Sequence, residues 1–201
     1  MSVEDLVDYL EGKDIDFCDV RYERRYGLSV GVVNGELRYI NNEVFEGVSI
    51  RVLIRGVWGY ASTTDVSWES LKYAADRAYR NAKKVGGGKK LHLDAPTINT
   101  RVKATVRINP KDVDLEDKID ILITLDRAQR DTDKRIVNSN SAYQESILSF
   151  HLVNSHGGNV SWDEVRTRII AYSVASEAGN IQYSFLAVSY THLTLPTTER
   201  V

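Results

Sequence analysis

The amino-acid sequence predicts an α+β fold, in which antiparallel β-sheet meanders carry two long amphipathic helices packed on one face. The first observation is a series of segments in which apolar and polar residues alternate, which is the period of a half-buried strand. The second is a pair of longer segments whose apolar residues recur every three to four positions, as in an amphipathic helix. The third is their order, because a helix followed by antiparallel strands occurs twice along the chain.

A short helix and a meander are predicted for the first third of the chain. The apolar residues of 3–11 recur at helical spacing, and residues 18–32 then alternate with a period of two. Asn34-Gly35 predicts a hairpin, because a type I′ turn needs positive φ at both central positions. Residues 48–55 continue the alternation, and the chain then turns back once more.

Two long helices are predicted further along. The first covers residues 68–84, and Ser67 can cap it by accepting a backbone N–H bond. Its apolar stripe consists of Trp68, Leu71, Ala75, Ala78 and Ala82. The second covers residues 112–131, begins near Asp112 or Asp114, and has an acidic first turn that suits the positive end of the helix dipole. Its apolar side consists of Leu115, Ile119, Leu122 and Leu125.

A Gly-rich connector over residues 85–101 separates the two long helices and is the best internal boundary. A short strand is predicted directly after it, over residues 103–108. From residue 134 onward the chain is predicted to be strand again, with one turn at 154–159 and another at 178–180.

Composition excludes several classes of protein. The 201 residues carry a formal net charge of −2, with basic and acidic residues interspersed, so no nucleic-acid partner is expected. No apolar run approaches the roughly 18 residues that span a bilayer, so no membrane partner is expected either. The acidic N-terminus is unlike a signal peptide, and the single cysteine excludes an internal disulfide. These features fit a cytoplasmic protein.

Three motifs that resemble catalytic or phosphate-binding signatures are each better explained by a structural role. Residues 27–31 match the G-x-S-x-G pattern, but Ser29 is predicted inside a strand and not on the strand-to-helix turn that a nucleophile needs. The glycines of 86–88 precede two lysines but no Ser or Thr, as a phosphate-binding loop would require, so a flexible connector is expected. Cys18 shares a strand face with apolar residues and is expected to be buried.

The histidines do not form a recognisable metal motif. They are His92, His151, His156 and His192, and none is followed by Glu as in a zinc peptidase. Arg21 and Arg25 are expected to lie beside Glu23 on a solvated strand face. The alternative is a groove of aromatic and basic residues that binds single-stranded nucleic acid, but the aromatic residues are scattered along the strands. The sequence therefore predicts no catalytic, cofactor-binding or metal-binding residue in this chain.

Three stretches, taken in order, carry a family resemblance. The first contains "NGEL", "GVSIRVLIRGVWGYAST" and an Ala-rich helix; the second is "VDLEDKIDILITLDRAQRDTDKRI"; the third is "LVNSHGGNVSWDEVRTRIIAYSVASEAG". Together they resemble the N-terminal region of the TldD/PmbA metallopeptidases, also called modulators of DNA gyrase. The resemblance extends over roughly residues 1–185 and rests on the combination, since no single motif is diagnostic.

The resemblance implies a longer parent protein. In the catalytic branch of this family a His-Glu-x-x-x-His helix and a later Cys hold zinc downstream of this region, and the Glu acts as general base on a zinc-bound water. No position of this chain matches those residues. The resemblance therefore implies zinc for the full-length catalytic parent and no cofactor in this chain, which is expected to be inactive by itself.

The resemblance also implies partners. These are a second TldD/PmbA-type subunit, in a homodimer or a heterodimer, and an unfolded peptide as substrate. "GVWGYAST" and "VNSHGGNVSWDEVRTR" look more like the catalytic TldD branch. A fragment of the non-catalytic PmbA/TldE subunit and a standalone peptide- or protein-binding module remain as alternatives.

The last fourteen residues differ from the rest of the chain. They contain four Thr, whereas the preceding 187 residues contain eight. "VSYTHLTLPTT" also resembles translated adapter sequence at the end of a reading frame. We therefore expect residues 1–187 to be the TldD/PmbA-like N-terminal domain, cut off before the metal-binding domain, and residues 188–201 to be a non-native or disordered tail.

Overall fold

The computed structural model describes residues 3–85, 88–91, 93 and 97–191. Within them are three α-helices, α1 (Val3–Glu11), α2 (Trp68–Lys84) and α3 (Leu115–Thr132), and a 3-10 turn at Pro110–Asp112. The strands are β1 (Phe17–Val33), β2 (Glu36–Ile54), β3 (Val57–Thr63), β4 (Asn99–Val102), β5 (Ile136–Asn154), β6 (Asn159–Glu177) and β7 (Asn180–Thr191). The predicted α+β class is confirmed. No helix in the described ranges is long and apolar enough to cross a membrane.

The strands form one mostly antiparallel sheet. Their order is β3-β2-β1-β5-β6-β4, and β7 also pairs with β6. β4 runs parallel to the beginning of β6, from Asn99 opposite Asn159 to Val102 opposite Trp162. β7 runs antiparallel to the rest of β6, from Asn180 opposite Glu177 to the end of β7.

The chain divides into two compact units. Unit 1 comprises Met1–Arg25, Val44–Lys103 and Leu148–Asp163, and unit 2 comprises Tyr26–Glu43, Ala104–Ile147 and Glu164–Val201. The four long strands each contribute residues to both units. Each unit has a hydrophobic cluster of its own.

In unit 1, α1 and α2 pack on the sheet. The fully buried residues of this cluster are Leu6, Leu10, Cys18, Val20, Ile50, Val52, Ala75 and Ala78. Small residues on α2 let the helix backbone approach β3, and a Cβ added at Gly59 would collide with the Ala78 carbonyl oxygen. The predicted bounds of α1 and α2 are confirmed, and the Ser67 hydroxyl caps α2 by accepting from Ser70 N at 3.5 Å.

In unit 2, Leu122 of α3 packs against Leu28, Val30 and Val32 of β1. The predicted apolar stripe of this helix is partly wrong, because Leu115 is exposed and the two residues one turn either side of Leu122 are charged and buried. Those residues are Lys118 and Asp126. Glu145 on β5 compensates the charge of Lys118, and Arg130, one turn further along α3, compensates that of Asp126. A hydrophobicity pattern does not show such partners.

Two boundaries near the connector also differ from the prediction. Residues 103–108 form no strand; the strand lies earlier, at Asn99–Val102, because its partner is β6 and no local pattern marks that pairing. α3 begins at Leu115, since Asn109 caps a separate 3-10 turn over residues 110–112 by accepting from Lys111 N at 3.0 Å. Asn34 and Gly35 have the predicted positive φ values, 52° and 82°.

Candidate functional site: an uncharged strand edge beside a cavity

The strand β7 has the composition of a strand that meets another chain. Its twelve residues include no Asp, Glu, Lys or Arg. Among the described strands β7 pairs only with β6, so its other edge presents backbone N–H and C=O groups that no described strand bonds. Exposed edges in soluble proteins are usually blunted by charge, proline or a bulge. β7 contains neither charge nor proline.

Large apolar side chains are exposed along the whole of β7. Residues 181, 183 and 185 lie on one face by the alternation of a strand, and residues 186, 188 and 190 on the other. Their exposed fractions are 64% for Ile181, 75% for Tyr183, 58% for Phe185, 64% for Leu186, 40% for Val188 and 62% for Tyr190. Exposed apolar side chains grouped in this way on the two faces of a strand commonly mark an interaction site.

A cavity of about 400 Å³ lies beside β7 in unit 2. Side chains and backbone of β6 and β7 line one part of it, including Ser173, Gln182 and Tyr183. Asp133 and Arg135, which precede β5, line the other part. The cavity therefore adjoins the exposed strand and is large enough for one side chain of a bound segment.

The charge at the rim of this cavity is organised around Arg135. Its guanidinium donates to Asp133 Oδ2 at 2.6 Å and to Glu177 Oε2 at 2.9 Å. These bonds lower the pKa of Asp133 to about 2 and raise the pKa of Arg135. Two carboxylates thus face one cation, so the rim carries a formal surplus of one negative charge.

The shape of this edge and its cavity suits an extended peptide. A peptide added to the free edge of β7 would be held by main-chain hydrogen bonds, and a neighbouring pocket would take one of its side chains. Among the described residues, the lining of the cavity includes serines but no histidine or cysteine that could activate a nucleophile.

The described residues also contain no group of three His, Cys, Asp or Glu side chains placed to hold a metal ion. His151 Nε2 lies 2.8 Å from Asn159 Oδ1 and 3.3 Å from Glu4 Oε1. His156 lies in the turn before β6, with its ring 5.1 Å from that of Phe17. His92 and His192 are outside the described residues.

Comparison with known families identifies two domains in the sequence. Residues 18–82 match the PmbA/TldA metallopeptidase domain 1, and residues 108–192 match the PmbA/TldA metallopeptidase central domain. The chain belongs to the PmbA/TldD metallopeptidase family. The resemblance seen in the sequence is thereby confirmed.

Curated PmbA/TldD relatives are considerably longer than this chain. A metalloprotease of Methanocaldococcus jannaschii is 29% identical over 171 residues, which are 84% of this chain and 38% of the relative. A metalloprotease of Methanothermobacter thermautotrophicus is 25% identical over 183 residues, which are 91% of this chain and 37% of the relative. The chain thus spans less than two fifths of the length of either relative.

Solved structures share the fold of this PmbA/TldD chain. A Bacteroides thetaiotaomicron protein of the modulator-of-DNA-gyrase type superimposes with a TM-score of 0.80 at 15% identity, over 93% of this chain and 44% of that one. TldE from Thermococcus kodakarensis superimposes with a TM-score of 0.71 at 18% identity, over 94% of this chain and 42% of that one.

The residues of the catalytic-like motifs lie at the positions expected for non-catalytic roles. Ser29 is in the middle of β1, away from any strand-to-helix turn. Cys18 is fully buried, and burial raises the pKa of its thiol to about 12. Arg21 and Arg25 lie beside Glu23, at 3.3 and 3.8 Å. Lys89 and Gly88 are exposed parts of the connector, while Gly86 and Gly87 are outside the described residues.

Most of the candidate site at β7 was not predicted from the sequence. The sequence predicted a strand beginning at "IQYSF", and β7 extends from Asn180 to Thr191. Residues 192–201 are outside the described part, so the origin of the segment 188–201 stays a prediction. The signal that was available is the absence of charge over twelve residues of an alternating strand.

Proposed function

We propose that this chain forms the N-terminal part of a PmbA/TldD zinc metallopeptidase that hydrolyses unfolded peptides, and that β7 binds the peptide as an added strand. The single observation that carries the peptide-binding role is the uncharged free edge of β7, with its exposed apolar side chains and adjoining cavity. The names of the curated relatives, which are metalloproteases, support the peptidase role of the parent.

Zinc and hydrolysis are assigned in this proposal to a part of the parent outside the described residues. Among the described residues no set of side chains fits a zinc ion, since no three potential ligands converge. The roles left to this chain are to bind the peptide and to contribute to a dimer with a second subunit of the family. We further propose that the parent works in the cytoplasm, as the composition indicates.

A second candidate is the non-catalytic subunit of the same family. The fold it shares with TldE from Thermococcus kodakarensis favours this alternative as much as the catalytic one, because the described residues do not include the metal motif that separates the two branches. The peptide-binding role of β7 is the same in both cases, so its test does not depend on the branch.

The test measures peptide binding by fluorescence anisotropy with the full chain. The probe is a labelled, neutral peptide of about eight residues that alternates Val and Thr, and its partner probe carries N-methyl groups on alternate residues. Backbone pairing with β7 predicts that the unmethylated peptide binds and that the methylated one loses at least about tenfold in affinity, because its N–H donors are removed.

Variants locate the binding surface. Tyr183→Lys and Phe185→Lys introduce charge on β7 and are expected to weaken binding, whereas Ile121→Lys, at an exposed position on α3, is the matched control. Equal affinity for the methylated and unmethylated peptides, or loss of binding in the Ile121 variant alone, would overturn the proposed role of β7.

A further inference from the structure

A concentrated positive charge lies on unit 1, far along the chain from β7. Residues 70–90 contain seven Lys or Arg and one Asp, a surplus of six positive charges in a chain whose formal net charge is −2. We call the seven cations the cationic surface: Lys72, Arg77, Arg80, Lys83, Lys84, Lys89 and Lys90. All seven side chains are exposed, five on α2 and two on the segment that follows it.

The cationic surface has few acidic partners among the described residues, although Arg80 interacts electrostatically with Asp76. None of the seven forms a salt bridge with a described carboxylate, although other Lys and Arg side chains form eleven ion pairs among the described residues. The one acid of the stretch, Asp76, is already bound to Lys13 at 3.1 Å and to the Tyr9 hydroxyl at 2.9 Å. The helix dipole favours cations only in the last turn, so it accounts for Lys83 and Lys84 alone.

A cavity of about 290 Å³ lies at the end of this surface. Arg55 and Lys83 supply two cations to its lining, and Ile54, Ala82 and the Tyr79 ring supply apolar area. Arg55 is exposed and makes only a 4.0 Å approach to Asp14, which also lines the cavity. A site that combines two cations with an apolar wall suits a carboxylate carried on a short aliphatic stem.

We propose that the cationic surface binds an acidic segment of polypeptide, with one Glu or Asp side chain entering the cavity beside Arg55 and Lys83. The 17 residues of α2 extend over about 25 Å, the length of about eight residues of extended peptide. The site lies on different residues from β7 and requires no hydrolysis, so this inference goes beyond the proposed function and does not rest on it.

The charge distribution favours an acidic polypeptide over nucleic acid. A nucleic-acid site needs a positive field that extends over several phosphates, and the net charge of this chain is negative. Asp14 at the cavity would also oppose a phosphate backbone, whereas a peptide places its carboxylates at separate points. Local complementarity between a basic patch and an acidic segment needs no positive net charge.

The test is fluorescence anisotropy on the full chain with three labelled probes. They are a peptide of about eight residues alternating Glu and Ala, its Gln-Ala isostere, and a thymidine oligonucleotide of about twelve bases. The Glu-Ala peptide is expected to bind, with an affinity that falls as salt increases, and the isostere is expected not to bind. Arg77→Glu with Arg80→Glu is expected to weaken binding at least about tenfold.

Matched variants test where on the chain the acidic peptide binds. Lys103→Glu with Arg107→Glu changes the net charge equally at exposed positions outside the cationic surface, and its affinity is expected to stay within about twofold. Arg55→Ala and Lys83→Ala test the cavity. If thermal unfolding shows that the Arg77/Arg80 variant does not fold, Lys89→Glu with Lys90→Glu in the connector replaces it.

Three results would overturn the proposal. One is equal binding of the Glu and Gln peptides, and another is equal loss of affinity in the surface and control variants. The third is tighter binding of the oligonucleotide than of the acidic peptide, which would assign the surface to nucleic acid. Variants of the cationic surface are expected to leave binding of the neutral Val-Thr peptide to β7 unchanged. Failure of this proposal is therefore distinguishable from failure of the proposed peptide site at β7.

Discussion

The Lys118 ammonium group lies 2.9 Å from Glu145 Oε2, and both side chains are buried in unit 2. Lys118 also donates to the Pro110 carbonyl oxygen at 2.8 Å, and the Tyr143 hydroxyl donates to the same Glu145 oxygen at 2.7 Å. Burial, together with this bond to a carboxylate, raises the pKa of Tyr143. One ion pair therefore connects α3, the 3-10 turn before it and strand β5.

Replacing Lys118 is expected to destabilise the protein strongly. Lys118→Met leaves the Glu145 carboxylate buried without its cation, and such a loss typically costs about 3–5 kcal/mol of unfolding free energy. Urea denaturation followed by circular dichroism measures the change. The exposed Lys111 provides the control, since Lys111→Met should cost less than about 1 kcal/mol.

The double variant separates the charge from the packing. Lys118→Met with Glu145→Leu removes both charges and is expected to be more stable than Lys118→Met alone, because no unpaired carboxylate remains. If the double variant were no more stable than the single one, the cost would lie in packing and not in the buried charge.

Asp126 is expected to be the second sensitive position of α3. Its side chain is fully buried, accepts from the Ser139 hydroxyl at 2.8 Å and pairs with Arg130 Nε at 2.9 Å. Ser139 N in turn donates to Asn34 Oδ1 at 2.9 Å, which fixes the β1–β2 hairpin. Asp126→Asn should therefore cost about 1.5–3 kcal/mol in the same denaturation experiment.

A matched substitution tests that assignment. Asp131 lies on an exposed part of α3 and forms no ion pair with a described residue, so Asp131→Asn should change stability by less than about 0.5 kcal/mol. Similar costs for Asp126→Asn and Asp131→Asn would show that the buried hydrogen bonds contribute little.

The two long helices show where prediction from sequence succeeds and where it stops. For α2 the Ala-rich stripe and the Ser67 cap are local signals, and both bounds are confirmed. For α3 the stripe is partly wrong, because Lys118 is buried against Glu145 on β5, and Asp126 is buried between Arg130 of the same helix and Ser139 on β5. Hydrophobic periodicity assigns charged residues to the solvent, so it does not predict a burial that depends on an ion pair or a hydrogen bond.

The candidate site was less predictable than the fold. β4 takes its place from pairing with β6, and strand pairing between distant segments leaves no local pattern, whereas β7 follows β6 directly through the predicted turn at 178–180. Arg135 bonds to Glu177, which is 42 positions away in the sequence. The cations of the cationic surface lie together because α2 exposes the side of the helix that carries them. The individual residues were visible in the sequence, but the folding that brings them together was not.

Cys18 is expected to be unreactive in the native protein. Burial raises the pKa of its thiol to about 12, so almost no thiolate forms at pH 8. A thiol reagent such as dithionitrobenzoate should therefore modify Cys18 only at the rate of unfolding, and fully in urea. Rapid modification without urea would contradict the burial of this residue.

The same burial predicts a loss of stability in alkali. The unfolded thiol releases its proton near its ordinary pKa of about 8.5, whereas the folded thiol holds it to about 12. Between these values the unfolded state binds fewer protons, so unfolding becomes easier as pH rises. Cys18→Ala, measured by urea denaturation at several pH values, should reduce the slope over this range. An unchanged slope would assign the alkaline loss to other groups, such as Tyr22, whose pKa is also raised to about 12.

Gly59→Ala is expected to separate α2 from β3. A Cβ at this position would collide with the Ala78 carbonyl oxygen and lie close to Ala82, and helix backbone cannot move away as a flexible side chain can. Overpacking of this kind typically costs about 1–3 kcal/mol, which thermal unfolding by circular dichroism would detect. Gly88→Ala in the connector is the control, because among the described atoms its Cβ would meet none closer than 3.3 Å. Equal melting temperatures for the two variants would show that α2 does not pack on β3 as closely as the structure describes.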